Sequence, residues 1–308
     1  MLLGVILLPI LSVVSAADVA CPRDEYLLPF GCRCRSEGRV QCSNVQDSKK
    51  FEMIMAACQG YQLLEFTLVN AKLEWLPPTT FQFIDTLEFV LSNSVLESLT
   101  EPIPGNRLFK GSGVEHFILS NTDIRDGDLS QIGYLDDLKQ LVIKNYPNAL
   151  FLASLVGKIQ QTQIQELILE NLPHLVWRGD EIAPLNHLRT LSLSGLNLKE
   201  IRREDLPENV GNLENLWLKD NNLQWLPDDF LTDMKSLKML DLSSNKFKTL
   251  YEETFASFSE FIVLHGNPLE CDSRLDWLRE RLRSNSLKIM TPQPIKCQDG
   301  SNLIDLLL

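Results

Sequence analysis

The chain repeats one pattern of hydrophobic and polar positions nine times between residues 63 and 269. Its clearest copy, at residues 213–226, reads LENLWLKDNNLQWL and follows the pattern L-x-x-L-x-L-x-x-N-x-L. The ninth position recurs in steps of 22 to 28 residues, at residues 71, 94, 122, 146, 172, 196, 221, 245 and 267. Because one such unit cannot bury its apolar side alone, the recurrence predicts a solenoid of about nine stacked repeats.

Each repeat is predicted to place a short strand on the inner wall of a curved α/β solenoid. The fourth and sixth positions lie two residues apart, so both side chains point into the core. The third, fifth and seventh positions then face the concave surface. An Asn at the ninth position turns inward, where its amide satisfies backbone groups as the chain leaves the strand. The predicted fold is therefore a horseshoe with a parallel β-sheet on its concave face.

The first six repeats depart from this pattern, because none of them has Asn at the ninth position. In five of them an Asn lies one place earlier. These residues are Asn70, Asn93, Asn121, Asn145 and Asn171. Two interpretations stay open. In the first, the sequence has drifted and the early Asn is there because it tolerates an irregular turn. In the second, the amides form an exposed row along one edge of the concave face and hydrogen-bond a ligand.

The cysteines lie at the two ends of the chain. Five of the seven fall within residues 21–58, and the other two are at 271 and 297. Open solenoid ends expose core, so terminal units need reinforcement, and this placement predicts disulfide-stapled caps in an oxidising compartment. Spacing alone does not determine the pairing among five cysteines.

The two ends resemble the flanks of extracellular leucine-rich-repeat proteins. The front carries Cys21-Pro22, Cys32-Arg33-Cys34 and Cys42, and residues 267–278 are similar to the C-terminal flank of the same superfamily. The resemblance implies the disulfides Cys21–Cys34 and Cys32–Cys42 in the front cap. At the back it implies Cys271–Cys297 alone, because Ser273 replaces the second cysteine of that flank and the fourth is missing. The irregular front repeats and the long first cysteine gap further resemble secreted arthropod leucine-rich-repeat proteins.

One cysteine is left over between the front cap and the repeats. Residues 47–60 are predicted to form a helix with Phe51, Ile54, Met55 and Cys58 on one face and Gly60 as a stop signal. Cys58 is then either a small buried apolar residue or the site of an intermolecular disulfide that links two chains into a dimer.

The chain divides into four predicted segments: a signal peptide at 1–17, an N-terminal cap at 18–62, leucine-rich repeats at 63–266 and a C-terminal cap at 267–308. The apolar run from Leu2 to Val14 ends in small residues, as a secretory signal does. This run is too short to span a bilayer, and no other stretch of about 18 apolar residues exists. Residues 303–308 are too short for a lipid-anchor signal and contain a charge. We therefore expect an extracellular, secreted protein without a membrane anchor.

Charge and motifs narrow the function further. A formal net charge of −12 argues against nucleic acid as a partner, because phosphate binding needs a cationic face. The four histidines, at positions 116, 174, 187 and 265, lie in different repeats. The sequence contains no metalloprotease, hydrolase or phosphate-loop motif. It therefore predicts neither an enzyme nor a cofactor nor a metal site.

The strongest candidate for binding is the concave face. Its fifth positions include Val90, Ile118, Val142 and Ile168, which stacking would join into an exposed apolar ridge with polar rims. Trp217 would add an aromatic anchor further along. The alternative is that β-branched residues simply favour strands. A second feature, Arg178-Gly179-Asp180, resembles an integrin-recognition tripeptide, but three residues match by chance too often to assign it a use.

These observations lead to two functional hypotheses. The first is a non-catalytic extracellular scaffold that recognises a protein or receptor through its concave face, in adhesion, immune recognition or signalling. The second is an accessory non-catalytic subunit of a secreted enzyme complex such as a luciferase.

Overall fold

A computed structural model describes residues 21–35, 38–150, 152–160, 162–290 and 294–303. The expected signal peptide at 1–17 lies outside the described residues. The helices are α1 Asp24–Leu27, α2 Ser48–Cys58, α3 Thr80–Phe83, α4 Leu152–Ile159, α5 Glu252–Phe255 and α6 Asp276–Arg283. The strands are β1 Cys32–Arg35, β2 Arg39–Ser43, β3 Gln62–Val69, β4 Lys72–Leu73, β5 Asp85–Ser92, β6 Val95–Leu96, β7 His116–Ser120, β8 Asp123–Ile124, β9 Gln140–Lys144, β10 Glu166–Glu170, β11 Thr190–Ser194, β12 Asn215–Trp217, β13 Met239–Asp241, β14 Phe261–Val263 and β15 Lys288–Ile289.

Twelve strands form one long sheet, in the order β1-β2-β3-β5-β7-β9-β10-β11-β12-β13-β14-β15. Among the described strands of this sheet, the β1–β2 pair alone is antiparallel, and the nine repeat strands from β3 to β14 pair in parallel with the pattern positions in register. The predicted leucine-rich-repeat solenoid with a parallel sheet is confirmed. A second, three-stranded sheet in the order β4-β6-β8 follows the ends of three front strands, and the sequence pattern did not predict it.

The front repeats fill their core with aromatic rings. Phe66 stacks on Phe89 with ring centroids 5.9 Å apart, and Phe89 stacks on Phe117 at 6.2 Å. Phe81 and Phe109, from the returning side of the repeats, pack edge-on against this stack. The three stacked rings come from three successive repeats, so the stack joins these repeats through dispersion and aromatic contacts.

The early Asn of the front repeats has a backbone explanation. Asn70, Asn93, Asn121, Asn145 and Asn171 all have φ between 48° and 54°, in the left-handed region. Each donates its backbone N–H to a carbonyl of the next repeat at 2.9–3.0 Å. Side chains with a Cβ disfavour this conformation, and Asn tolerates it better than most. The sixth repeat and the three rear repeats place other residues at the equivalent turn. These are Gly195, Asp220, Ser244 and Gly266.

The rear repeats form a buried ladder of Asn side chains at the ninth position. The Nδ2 of Asn245 donates to the carbonyls of Leu218 and Leu242 at 2.8 and 3.1 Å, and its Oδ1 accepts from the Leu223 N–H at 3.0 Å. Asn221 and Asn267 make the same kinds of bonds. The inward-turned Asn predicted from the sequence is therefore present in these three repeats.

Hydroxyl groups replace that ladder in two front repeats. The Ser94 Oγ accepts from the Ala71 N–H at 3.0 Å and donates to the Ser92 carbonyl at 2.8 Å. Thr122 acts in the same way on Ser94 and Ser120. Tyr146, fully buried, donates its hydroxyl to the Ile124 carbonyl at 3.2 Å, and burial raises its pKa to about 12.

Two disulfides hold the N-terminal cap, Cys21–Cys34 and Cys32–Cys42. These are the pairs that the resemblance implied.

Helix α2 begins after Asp47, whose carboxylate accepts from the Lys50 N–H at 2.8 Å, and it buries the predicted face. Cys58 is free but fully buried, and desolvation raises the pKa of its thiol to about 12. This burial favours the small buried apolar residue over the intermolecular disulfide, and a dimer linked through Cys58 stays a prediction.

One disulfide, Cys271–Cys297, closes the C-terminal cap. Helix α6 adds polar contacts to the last repeat. The Arg281 guanidinium donates to the Phe255 carbonyl at 2.7 Å and also to the Phe258 carbonyl. The Trp277 ring stacks on Phe255 with centroids 5.6 Å apart. Within the part of the chain that the structure describes, no helix is both long and apolar enough to cross a membrane.

Candidate functional site

The predicted ridge is contiguous across four strands. Val90 on β5 pairs in register with Ile118 on β7, which pairs with Val142 on β9 and then with Ile168 on β10. Ser192 continues the row before Trp217 on β12. All five predicted apolar residues therefore share one row of the concave face, with a single polar position between Ile168 and Trp217.

The ridge is less exposed than the sequence suggested. Val90, Ile118 and Trp217 are half-buried, but Val142 and Ile168 are only 5% and 8% exposed. The exposed ridge predicted over four residues is wrong for these two. Long side chains bonded to each other border them on both sides. The pairs are Gln140 with Glu166 at 2.5 Å and Lys144 with Glu170 at 3.0 Å.

A polar row borders the ridge at the third pattern position. It contains Glu88, His116, Gln140 and Glu166 on the same successive strands. The His116 Nδ1 lies 3.5 Å from a Glu88 carboxylate oxygen. The accessible apolar residues therefore have a rim of hydrogen-bonding groups, which is the arrangement found in protein interfaces.

Trp217 belongs to a second apolar patch, which the sequence analysis did not predict. Met239 and Phe261 occupy the third positions on β13 and β14, adjacent to each other in register and both half-buried. Asp241 pairs directly with Trp217 on the neighbouring strand. The Lys288 Nζ lies 5.1 Å from the Phe261 ring centroid. Examining the third pattern position as well as the fifth would have found Met239 and Phe261.

The Asn row lies at the edge of the concave sheet, where the strands end. Asn93, Asn121, Asn145 and Asn171 are all exposed, and the Asn145 Nδ2 donates to the Asn121 Oδ1 at 2.8 Å. The left-handed backbone accounts for their identity without a ligand. Their amides nonetheless form an accessible row, so a binding role stays a prediction.

The tripeptide Arg178-Gly179-Asp180 lies in a packed 3₁₀ turn on the other side of the solenoid. Gly179 is buried, and a Cβ placed on it would come within 2.0 Å of the Asp205 Cα. Arg178 and Asp180 are exposed but lie 3.6 Å apart as an ion pair. The tripeptide is therefore held against the next repeat and does not form the tip of a protruding loop.

The described residues give no sign of a metal centre, since none of their His, Cys, Asp and Glu side chains form a group of three or more that could hold an ion.

Strong charge pairing occurs beside the concave sheet at Glu214. Its carboxylate lies 2.5 Å from the Lys238 Nζ and 2.6 Å from the Arg189 guanidinium. The hydrogen bond from Lys238 is the main cause that lowers the pKa of Glu214 below its ordinary value.

The chain is similar to several known proteins. The family model described as leucine rich repeat matches residues 211–269. P-granule-associated novel protein 1 of Caenorhabditis elegans is 33% identical over 156 residues, which cover 49% of this chain and 25% of that protein. Epiphycan of Gallus gallus is 27% identical over 183 residues, which cover 54% of this chain and 51% of that protein. The chain thus spans a quarter of the first relative and about half of the second.

A solved structure shares the architecture. It is a chain of an octameric complex of Latrophilin 3, Unc5D and FLRT2, in which the leucine-rich repeats belong to FLRT2. The TM-score is 0.57 at 18% identity, and the match covers 78% of this chain and 80% of that chain. At this identity the likeness concerns the fold alone. Together with the parallel sheet, the repeat register and the family-model match, it shows that this chain is a protein of the leucine-rich-repeat fold.

Proposed function

We propose that this protein is a secreted, non-catalytic scaffold that binds a protein partner through its concave face. The observation that carries the proposal is the in-register row Val90, Ile118, Val142 and Ile168 with its polar rim. Val90 and Ile118 are the accessible part of this row. An apolar centre within a hydrogen-bonding border suits a protein interface better than a small-molecule pocket.

Trp217 and its neighbours supply a second contact area on the same face. Trp, Met and Phe are enriched at the centres of interfaces, where large side chains contribute most of the binding energy. Ser192, fully buried, separates this patch from the ridge. A partner that follows the concave face would contact both areas, with the exposed Asn row at the edge of its footprint.

Two further observations support an extracellular scaffold. The three disulfides fit an oxidising compartment, and the predicted signal peptide agrees with export. The similar FLRT2 repeats are part of a complex with two other proteins, so the same fold is used there in a protein assembly. Adhesion, immune recognition and signalling are the classes of process that such a scaffold would serve.

The test combines capture from native secretions with matched variants. A double variant, Val90→Glu with Ile118→Glu, introduces charge into the accessible ridge. Val176→Glu makes the same chemical change at a residue that is 76% exposed outside the concave face. We expect the wild-type chain and V176E to retain the same partner and the double variant to lose it. Equal retention by all three chains, with unchanged circular dichroism, would contradict the proposal.

The identity of the captured partner separates the two functional hypotheses. Capture of an enzyme in stoichiometric amount would favour the accessory subunit, the hypothesis that goes with the resemblance to secreted arthropod leucine-rich-repeat proteins. A receptor or matrix protein would favour recognition. Both outcomes use the same surface, so the variant comparison stays informative in either case.

A further inference from the structure

The concave face carries three carboxylates that lack a Lys or Arg counter-ion among the described residues. Glu88 contacts His116, Glu166 accepts from Gln140, and Asp241 accepts from the Ser243 N–H and hydroxyl. Other acidic residues of this face do have cationic partners. Glu65 pairs with Arg39 at 3.7 Å and Glu170 with Lys144 at 3.0 Å. The imbalance is therefore specific to three positions.

The three carboxylates are evenly spaced along the sheet. Glu88 lies on β5, Glu166 on β10 and Asp241 on β13, and in the sheet order each is three strands from the next. Strands in a sheet are roughly 4.8 Å apart, so consecutive strands that carry a carboxylate are about 14 Å apart. Asp241 is at the fifth pattern position and the two Glu residues are at the third, so Asp241 also lies two residues further along its strand. The first two border the apolar ridge, and Asp241 is paired in register with Trp217.

The surroundings of each carboxylate favour a cation. A partner that covers the ridge would remove water from Glu88 and Glu166, and a partly desolvated carboxylate needs an opposite charge to avoid a large penalty. Asp241 is paired in register with Trp217, an aromatic residue of the type that attracts cationic head groups. An acidic partner would instead meet like charge at all three positions.

We infer that the partner of the concave face is a protein segment that presents Lys or Arg side chains about 14 Å apart, with apolar side chains between them. The inference rests on the proposed function and adds the chemistry of the partner. An extended segment satisfies this spacing with a basic residue at every fourth position, because it advances roughly 3.4 Å per residue. Its intervening apolar side chains then face the strands between the carboxylates, which carry Ile118 and Val142 in the first interval and Ser192 and Trp217 in the second.

The probe is a nine-residue peptide, Lys-Ser-Val-Ser-Lys-Ser-Val-Ser-Lys, and its control has Glu in place of each Lys. Two triple variants of the full chain remove equal charge. The concave triple is Glu88→Gln, Glu166→Gln and Asp241→Asn. The control triple is Glu52→Gln, Asp136→Asn and Glu208→Gln, at exposed positions away from the concave face.

Titration calorimetry at low and physiological salt gives the readout. We expect the wild-type chain to bind the basic peptide and not the acidic one. We expect the concave triple to weaken binding at least tenfold and the control triple to change it less than twofold. Equal weakening by both triples would show attraction to net charge alone and overturn the inference. Failure of the wild-type chain to bind the basic peptide would also overturn it.

The native partner distinguishes this inference from the proposed function. If V90E with I118E abolishes capture while the concave triple does not, the concave face binds a partner but the basic chemistry is wrong. If neither variant affects capture, both proposals fail. Sedimentation of the protein alone tests a second copy as occupant, and a dimer that the concave triple dissociates would overturn the assignment to a separate basic partner.

Discussion

The front and rear repeats solve the same problem with different side chains. Each repeat must satisfy the backbone groups that the chain leaves unpaired when it turns out of the strand. The rear repeats use a buried Asn, whose amide donates to carbonyls of two repeats and accepts from a third backbone group. The front repeats at Ser94 and Thr122 use a hydroxyl, which has one proton to donate, and they add the sheet β4-β6-β8.

The difference has a consequence for the concave face. An amide ladder fixes the rear repeats through side chains inside the core, so the positions beside it are constrained. In the front repeats, backbone pairing between strands and the stacked Phe66, Phe89 and Phe117 rings provide more of the contacts that hold neighbouring repeats together. The strands are also longer there, with eight residues in β3 and β5 and five in β7, β9 and β10, against three in β12 to β14. The front therefore offers the wider inner wall, and it carries the accessible ridge.

The largest effect should come from breaking the Asn ladder. Asn245→Ala removes bonds to several buried backbone groups, and each unsatisfied group costs about 1–3 kcal/mol. We expect the free energy of unfolding to fall by about 3 kcal/mol or more. Ser94→Ala, the matched change in the front, should cost about half as much. Guanidinium unfolding measures both, and equal losses would show that the two devices are equivalent.

The two caps should differ in what holds them. The front cap has two disulfides, whereas the back cap combines one disulfide with the Arg281 contacts to two carbonyls. Arg281→Ala should lower the free energy of unfolding by about 2 kcal/mol, because charge-assisted hydrogen bonds are lost. Arg281→Lys is the control, which keeps the charge but not the planar fork. If the Ala variant unfolds at the wild-type denaturant midpoint, Arg281 does not stabilise the cap.

Two substitutions at Asn121 distinguish a structural role of the Asn row from a role in binding. Asn121→Val places a β-branched side chain at φ 48° and should destabilise the fold by about 1–2 kcal/mol. Asn121→Gly accepts that conformation and should leave stability nearly unchanged. Thermal unfolding compares the two. Weaker partner capture by the stable Gly variant would favour a binding role for the amide, and unchanged capture would leave only the turn.

The smallest effect concerns pH and the ion pairs of the rear repeats. Lys238 and Arg189 lower the pKa of Glu214, so this group stabilises the fold above its unfolded pKa, near 4.5, and the contribution is lost as pH falls below that value. The wild-type chain should therefore lose more stability than Glu214→Gln between about pH 5 and 3. Denaturant midpoints across that range provide the measurement. Parallel curves for the two chains would exclude the contribution of Glu214.

Several features follow from the sequence because they depend on neighbours along the chain. The strand positions, the inward-facing leucines and the Asn ladder at 221, 245 and 267 come from a local pattern, in which alternation on a strand determines the buried side. The row from Val90 to Ile168 also follows from the repeated pattern, because repeats of similar length place equivalent strand positions side by side. The row's residues could therefore be named in advance.

Other features depend on contacts between side chains that only the tertiary structure brings together. Val142 and Ile168 are buried between the Gln140–Glu166 and Lys144–Glu170 pairs, which join side chains of adjacent strands. The burial of Cys58 results from helix α2 packing on the first repeat. The sequence by itself therefore determined the solenoid and the rows of its concave face. The tertiary structure decided which members of those rows water can reach, because accessibility depends on the neighbouring repeats.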